Sequence, residues 1–192
     1  MIITATERGQ PTVTDRVSRK ERIIQRLQYL WIGELFDSVF LPACVLSVAY
    51  SLGQSVGIFV VGASALLMLM LWQVSAYWRL KLRAVRSGDR VGISALRAYA
   101  VLEKVNWGLL GALPVIVLAV RLFGHARASA FDIVVGSLVY ILALLEQINY
   151  YYVQLMYDNR ADWQYLRKYK HLKKASLRRD LERLAAQERV CG

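Results

Sequence analysis

The sequence predicts an all-α fold: a four-transmembrane-helix bundle built as two tandem helical hairpins, with amphipathic helices at the N- and C-terminal cytoplasmic flanks. Three observations predict it. From Ser38 to Trp78 no charged residue occurs in forty-one positions, too long for one span and right for two joined by a tight turn. Two more long apolar stretches follow, at about 98–122 and 131–157. The Lys and Arg residues are gathered rather than spread, with six in 1–28, six in 79–97 and ten in 158–192, whereas the connections around Ser51 and Gly124 hold none and two. Short Lys/Arg-rich segments stay cytoplasmic, so the N-terminus, the middle connection and the C-terminus are all expected inside, which requires an even number of crossings.

With 192 residues, 56% of them hydrophobic, and mean hydropathy +0.33, little of the chain is left for a separate soluble domain. The expected organisation is a basic arm over 1–28, a membrane domain over 29–157 and a basic amphipathic helix over 158–192. Cys44 lies in an apolar run and Cys191 beside the end, an arrangement that suggests neither a disulfide nor a metal site. About thirty residues precede the first apolar run and hydrophobicity continues into a second span, which argues against a cleaved signal peptide.

Residues 1–15 are polar and irregular. From Ser18 the pattern changes: Ser18 with Glu21 resembles a capping box, and Val17, Ile23, Ile24, Leu27 and Leu30 recur at near-helical spacing opposite Arg19, Lys20, Arg22 and Arg26. This predicts an amphipathic helix on the inner surface running into the first span, about 30–51. Pro42 inside that span frees a backbone carbonyl that a neighbouring helix must satisfy. An outer turn at Ser51-Leu52-Gly53-Gln54 leads to the second span, about 55–79, where Gly57, Gly62, Ala63, Ser64 and Ala65 allow close backbone approach. A basic loop broken by Ser87-Gly88-Asp89 leads to the third span, which contains Glu103, Asn106 and Pro114. After an outer loop around His125 and Asp132, the stretch from Ile133 to Tyr157 has no Pro and only Gly136 near its start, so it reads as one long helix. Asp158 or Asn159 could then cap a last amphipathic helix whose Trp163, Leu166, Tyr169, Leu172, Leu177, Leu181 and Leu184 follow at helical steps.

The segment Leu41-Pro42-Ala43-Cys44-Val45-Leu46 matches Leu113-Pro114-Val115-Ile116-Val117-Leu118 at an offset of 72 residues. Leu71-Trp72-Gln73-Val74 parallels Leu145-Glu146-Gln147-Ile148 at an offset of 74, and Glu34 with Asp37 has a counterpart in Glu103 with Asn106. With both termini inside, the two hairpins would be a parallel repeat about an axis along the membrane normal.

The repeat would bring polar groups to one level. Glu34, Asp37, Gln73, Tyr77, Glu103, Asn106, Glu146, Asn149 and Tyr150 all fall in the halves of their spans nearest the basic side. As glue, they would hydrogen-bond between helices at roughly 0.6 kcal/mol each, with Trp31, Trp78 and Trp107 anchoring the interface. As a site, they would line an inward-facing cavity for a cation, a proton or a lipid headgroup, with Glu146 the deepest carboxylate. The tail supplies a second set, Trp163, Arg167, Lys168, Lys170, Lys173 and Lys174, suited to anionic headgroups or a partner.

His125 and His171 are assigned to an outer loop and a cytoplasmic tail, too far apart to clamp a haem or a metal in the membrane. Gly62-Ala63-Ser64-Ala65 is no nucleophile elbow, no phosphate-cradling glycine loop occurs, and the Glu-x-x-His spacing of di-iron bundles is missing. The reading therefore leans away from an enzyme and implies no cofactor. Cationic residues beside spans are explained by topology and anionic lipid before nucleic acid, so no nucleic-acid partner is expected. The sequence favours a non-catalytic scaffold or interaction subunit in a bacterial cytoplasmic membrane, as a homo-oligomer or in a membrane complex. An oligomeric channel or proton- or cation-coupled transporter around Glu146 is the alternative, and an enzyme acting on lipid headgroups is the third.

Overall fold

A computed structural model describes residues 13–123, 129–156 and 160–191. The polar start of the chain, the His125 loop and the proposed caps Asp158 and Asn159 lie outside the described residues. Six helices are found among the described residues: α1 (Val13–Ser51), α2 (Ile58–Ser87), α3 (Ile93–Phe123), α4 (Ala130–Tyr151), α5 (Arg160–Tyr169) and α6 (Ser176–Cys191). The first four are long and apolar enough to cross a membrane. An all-α chain with four candidate spans is therefore the observed architecture.

Helix α2 is the centre of the bundle. It packs most extensively on α1 and α4 and less on α3, while α6 reaches back to α3 and α4. The reason lies in its side chains, because Ala63, Leu66, Leu67, Met70, Leu71 and Val74 are all buried, so apolar residues cover more than one face. All of these but Val74 meet Leu110, Leu113 and Val117 of α3 and Val139 and Ala143 of α4 in one apolar core. The outward faces invert the usual order of a protein in water. Phe36, Val39 and Tyr50 on α1, Val115 and Leu122 on α3 and Leu138 on α4 are each 60–88% exposed. A belt of that size around four helices needs hydrocarbon rather than water against it.

Several boundaries differ from the sequence reading. The amphipathic N-terminal segment runs on into the first span as one helix; what differs is its start, which lies ahead of Ser18. Helices α2 and α3 extend into the stretch read as a basic loop and leave only residues 88–92 between them. Gly88 ends α2 at φ 82°, a left-handed conformation that side-chain-bearing residues adopt at a cost, and Asp89 N–H donates to Ala84 O at 2.9 Å across the turn.

The helix expected to run to Tyr157 stops at Tyr151. Asn149 Oδ1 accepts from Leu155 N–H at 2.7 Å, a side-chain bond that competes with the helical ladder. Val153 then forms an isolated antiparallel bridge with Lys174. The tail is two helices rather than one, because Lys170, at φ 51°, closes α5 with its N–H donating to Leu166 O at 2.8 Å. The bridge turns α6 back onto the bundle, where Leu177, Leu181 and Leu184 are buried beside Val74, Leu96, Tyr99 and Tyr150.

Candidate functional site

The expected single polar layer resolves into separate groups. Three amides join three helices. Gln73 Nε2 of α2 donates to Asn106 Oδ1 of α3 at 3.1 Å, and Asn106 Nδ2 returns a bond to Gln73 Oε1 at 2.8 Å. Asn106 Nδ2 also reaches Gln147 Oε1 of α4 at 3.1 Å, and Gln147 Nε2 donates to Glu103 O at 3.4 Å. Asn106 and Gln147 are each 1% exposed, so each amide is satisfied by the others rather than by water. Tyr99 Oη closes the set by donating to Gln73 O at 2.9 Å.

A second group links α1 to α4. Tyr150 Oη donates to Glu34 Oε1, and Asn149 Nδ2 donates to Glu146 Oε2 at 3.3 Å. Asp37 follows Glu34 by one helical turn and remains exposed. A small cavity of about 80 Å³ lies beside this group, with Glu34, Trp78, Asn149, Tyr150 and Gln154 on its wall. Among the described residues, no three His, Cys, Asp or Glu side chains are grouped so as to hold a metal ion.

Tyr77 belongs to a third group, which fastens α6 to α2. The buried carboxylate of Asp180 accepts from Tyr77 Oη at 2.7 Å, from Lys81 Nζ at 2.8 Å and from Arg183 Nη1 at 3.1 Å. Glu103 lies apart from Glu34 and Glu146; it faces Arg178 of α6 at 3.7 Å. Arg178 also stacks over the Tyr152 ring at 5.8 Å, and Trp107 Nε1 donates to Tyr152 Oη at 2.9 Å. The four expected spans thus supply polar residues to four places, and α6 completes two of them, through Asp180 and Arg178.

The cationic residues of the tail stand mostly outward. Trp163 is 61% exposed, Arg167, Lys168 and Lys170 are exposed, and Lys168 Nζ lies 5.2 Å over the Tyr169 ring. Lys173 is half-buried, its carbonyl accepting from Gln154 N–H at 2.8 Å. Lys174 is bound to Glu182 at 3.0 Å, and that hydrogen bond holds the Glu182 carboxyl below its ordinary value of 4.5.

Three contacts escaped the sequence reading. Asp132, assigned to an outer loop, is 2% exposed and its Oδ1 accepts from Val60 N–H at 3.0 Å, so α4 caps the N-terminus of α2. A Cβ at Gly57 would fall 2.3 Å from that carboxyl carbon, which is why glycine precedes α2. Tyr140 Oη donates to Leu110 O at 2.8 Å, and Leu110 is the carbonyl that Pro114 deprives of its helical donor. Asp180 had no sequence signal, since a carboxylate in a ten-cation tail reads as one more solvated charge. The chain matches no family model, no curated protein and no solved structure.

Proposed function

We propose that this chain is a non-catalytic membrane scaffold: a four-span bundle, its termini and the 88–92 connection on the cytoplasmic side, that holds a basic platform of α5 and α6 against anionic headgroups. One observation carries the reading. Helix α6 spends its leucine stripe on the bundle, with Leu177 at 2% and Leu184 at 5% exposure, so the platform is anchored, while Arg167, Lys168 and Lys170 face away. The amides of Gln73, Asn106 and Gln147 bond one another, which supports glue over a conduction path through the bundle centre.

The docking face in this reading is the cationic outer surface and the exposed Trp163 of α5, not the apolar stripe of α6. Hydrogen exchange over 160–169 tests it on the full chain in nanodiscs. Exchange should slow when phosphatidylglycerol is added to phosphatidylcholine, and a Arg167→Glu, Lys168→Glu, Lys170→Glu variant should lose the effect.

The transporter reading is favoured by one feature, the cavity of about 80 Å³ beside Glu34 and Tyr150. In proteoliposomes the scaffold reading expects no proton or cation flux above protein-free vesicles. Flux abolished by Glu146→Gln or Glu34→Gln would replace it with the transporter reading.

A further inference from the structure

One cavity among the described residues belongs to none of the groups the sequence singled out. It measures about 700 Å³ and opens where the α2–α3 connection meets α6. Its charged lining is Lys81, Arg90 and Arg183 against Asp89 and Asp180, an excess of one cation. Lys81 and Arg183 share the single carboxylate of Asp180, at 2.8 and 3.1 Å, and the Arg183 side chain is 65% exposed, so much of its fork of donors remains open to a ligand. Val85, Val91, Leu96 and Leu184 give the same cavity an apolar wall. Gly92, Ile93 and Ser94 also line it, at the start of a 31-residue helix with no acidic residue in its first turn. The first N–H groups of a helix have no intrahelical acceptor and carry the positive end of its dipole.

We propose that this cavity binds a phosphate-bearing anion, its phosphate between Arg90, Arg183 and the first turn of α3 and its carbon skeleton on the apolar wall. The guanidinium groups match a phosphate in shape and charge, and the volume exceeds what a bare phosphate fills. Glycerophosphate is the shared chemistry; it can arrive as an anionic phospholipid head or as a soluble ester. The inference rests on the membrane reading of the bundle, and not on what the outer face of α5 contacts.

Native mass spectrometry of the full chain from maltoside micelles tests it, with phosphatidylglycerol and phosphatidylcholine as lipid probes and glycerol 3-phosphate as the soluble one. Phosphatidylglycerol should be retained at least about tenfold better than phosphatidylcholine, or glycerol 3-phosphate should bind; the probe that binds identifies the source. Gly92→Asp is the decisive variant, because a Cβ there meets nothing within 4 Å and an aspartate can cap α3 itself. It should keep or raise the melting temperature while weakening binding about tenfold, as should the Arg90→Gln, Arg183→Gln pair. Binding of neither probe, or binding unchanged in both variants, would overturn the proposal. The triple substitution on α5 should leave this binding intact, so failure of the platform reading and failure of this one are told apart.

Discussion

Asp132 does the work of a capping residue for a helix that has none of its own. Gly57 at the start of α2 offers no side chain, and a carboxylate from α4 bonds Val60 N–H instead. Asp132→Ala should lower stability by about 1–2 kcal/mol in a detergent unfolding titration, the usual cost of a lost cap. Asp132→Asn, which keeps the acceptor, should recover most of the loss, and equal losses in both would refute the capping role. Tyr140 is the counterpart for Pro114. Its hydroxyl replaces the donor that the proline lacks, so Tyr140→Phe should cost roughly 1 kcal/mol in wild-type protein and much less beside Pro114→Ala, where the helix bonds its own carbonyl. At Asn106 the loss should be larger. Asn106→Leu strands the amides of Gln73 and Gln147 in a water-poor core, a penalty of about 1–3 kcal/mol in the same titration.

The element that most changes the picture of the molecule is α6. An amphipathic helix rich in Lys and Arg has two ways to bury its apolar stripe, in headgroups or on protein, and here the bundle end supplies the protein. Leu181→Asp should release it, seen as hydrogen exchange over 176–191 rising toward unprotected rates while α2 stays protected. Asp180→Ala should do so in part, because it leaves Lys81 and Tyr77 without their carboxylate. The helix also carries a mild acid sensitivity. Glu182 has its carboxyl held below 4.5 by Lys174, so below pH 4.5 the undocked chain takes up a proton more readily than the docked one. The stabilisation is present above that pH and is lost as pH falls through the lower folded value. Glu182→Gln should lose less melting temperature than wild type on acidification through this window.

For the whole molecule, the exposed belt of Phe36, Val39, Val115, Leu122 and Leu138 suits hydrocarbon better than water, while Asn106 and Gln147 are buried between the helices. Single-cysteine labelling of variants that carry Cys44→Ser and Cys191→Ser with a new Cys at position 90 or 167 should give modification from the same side of sealed vesicles, the side of both termini. Labelling of those two positions from opposite faces would refute the four-span topology with its termini together.

How much of this was legible depends on the range of the interaction that decides it. The four spans are written in local composition: forty-one uncharged positions from Ser38 to Trp78, and apolar runs around Val117 and Val139, leave the backbone no low-cost option but helix in hydrocarbon. Gln73, Asn106 and Glu146 were legible as inward-facing for the same reason. Which of them meet was not, since it depends on how the helices rotate and slide against one another, set by side chains such as Ala63 and Ala143 packed at full burial. The stop of α4 at Tyr151 hinged on Asn149 turning its side chain to Leu155, and the role of Asp180 on α6 folding back across nearly a hundred residues to Lys81. Composition along the chain settles what must avoid water; packing between helices settles which polar group answers which, because a hydrogen bond requires a partner within about 3 Å and spacing along the chain measures no distance between helices.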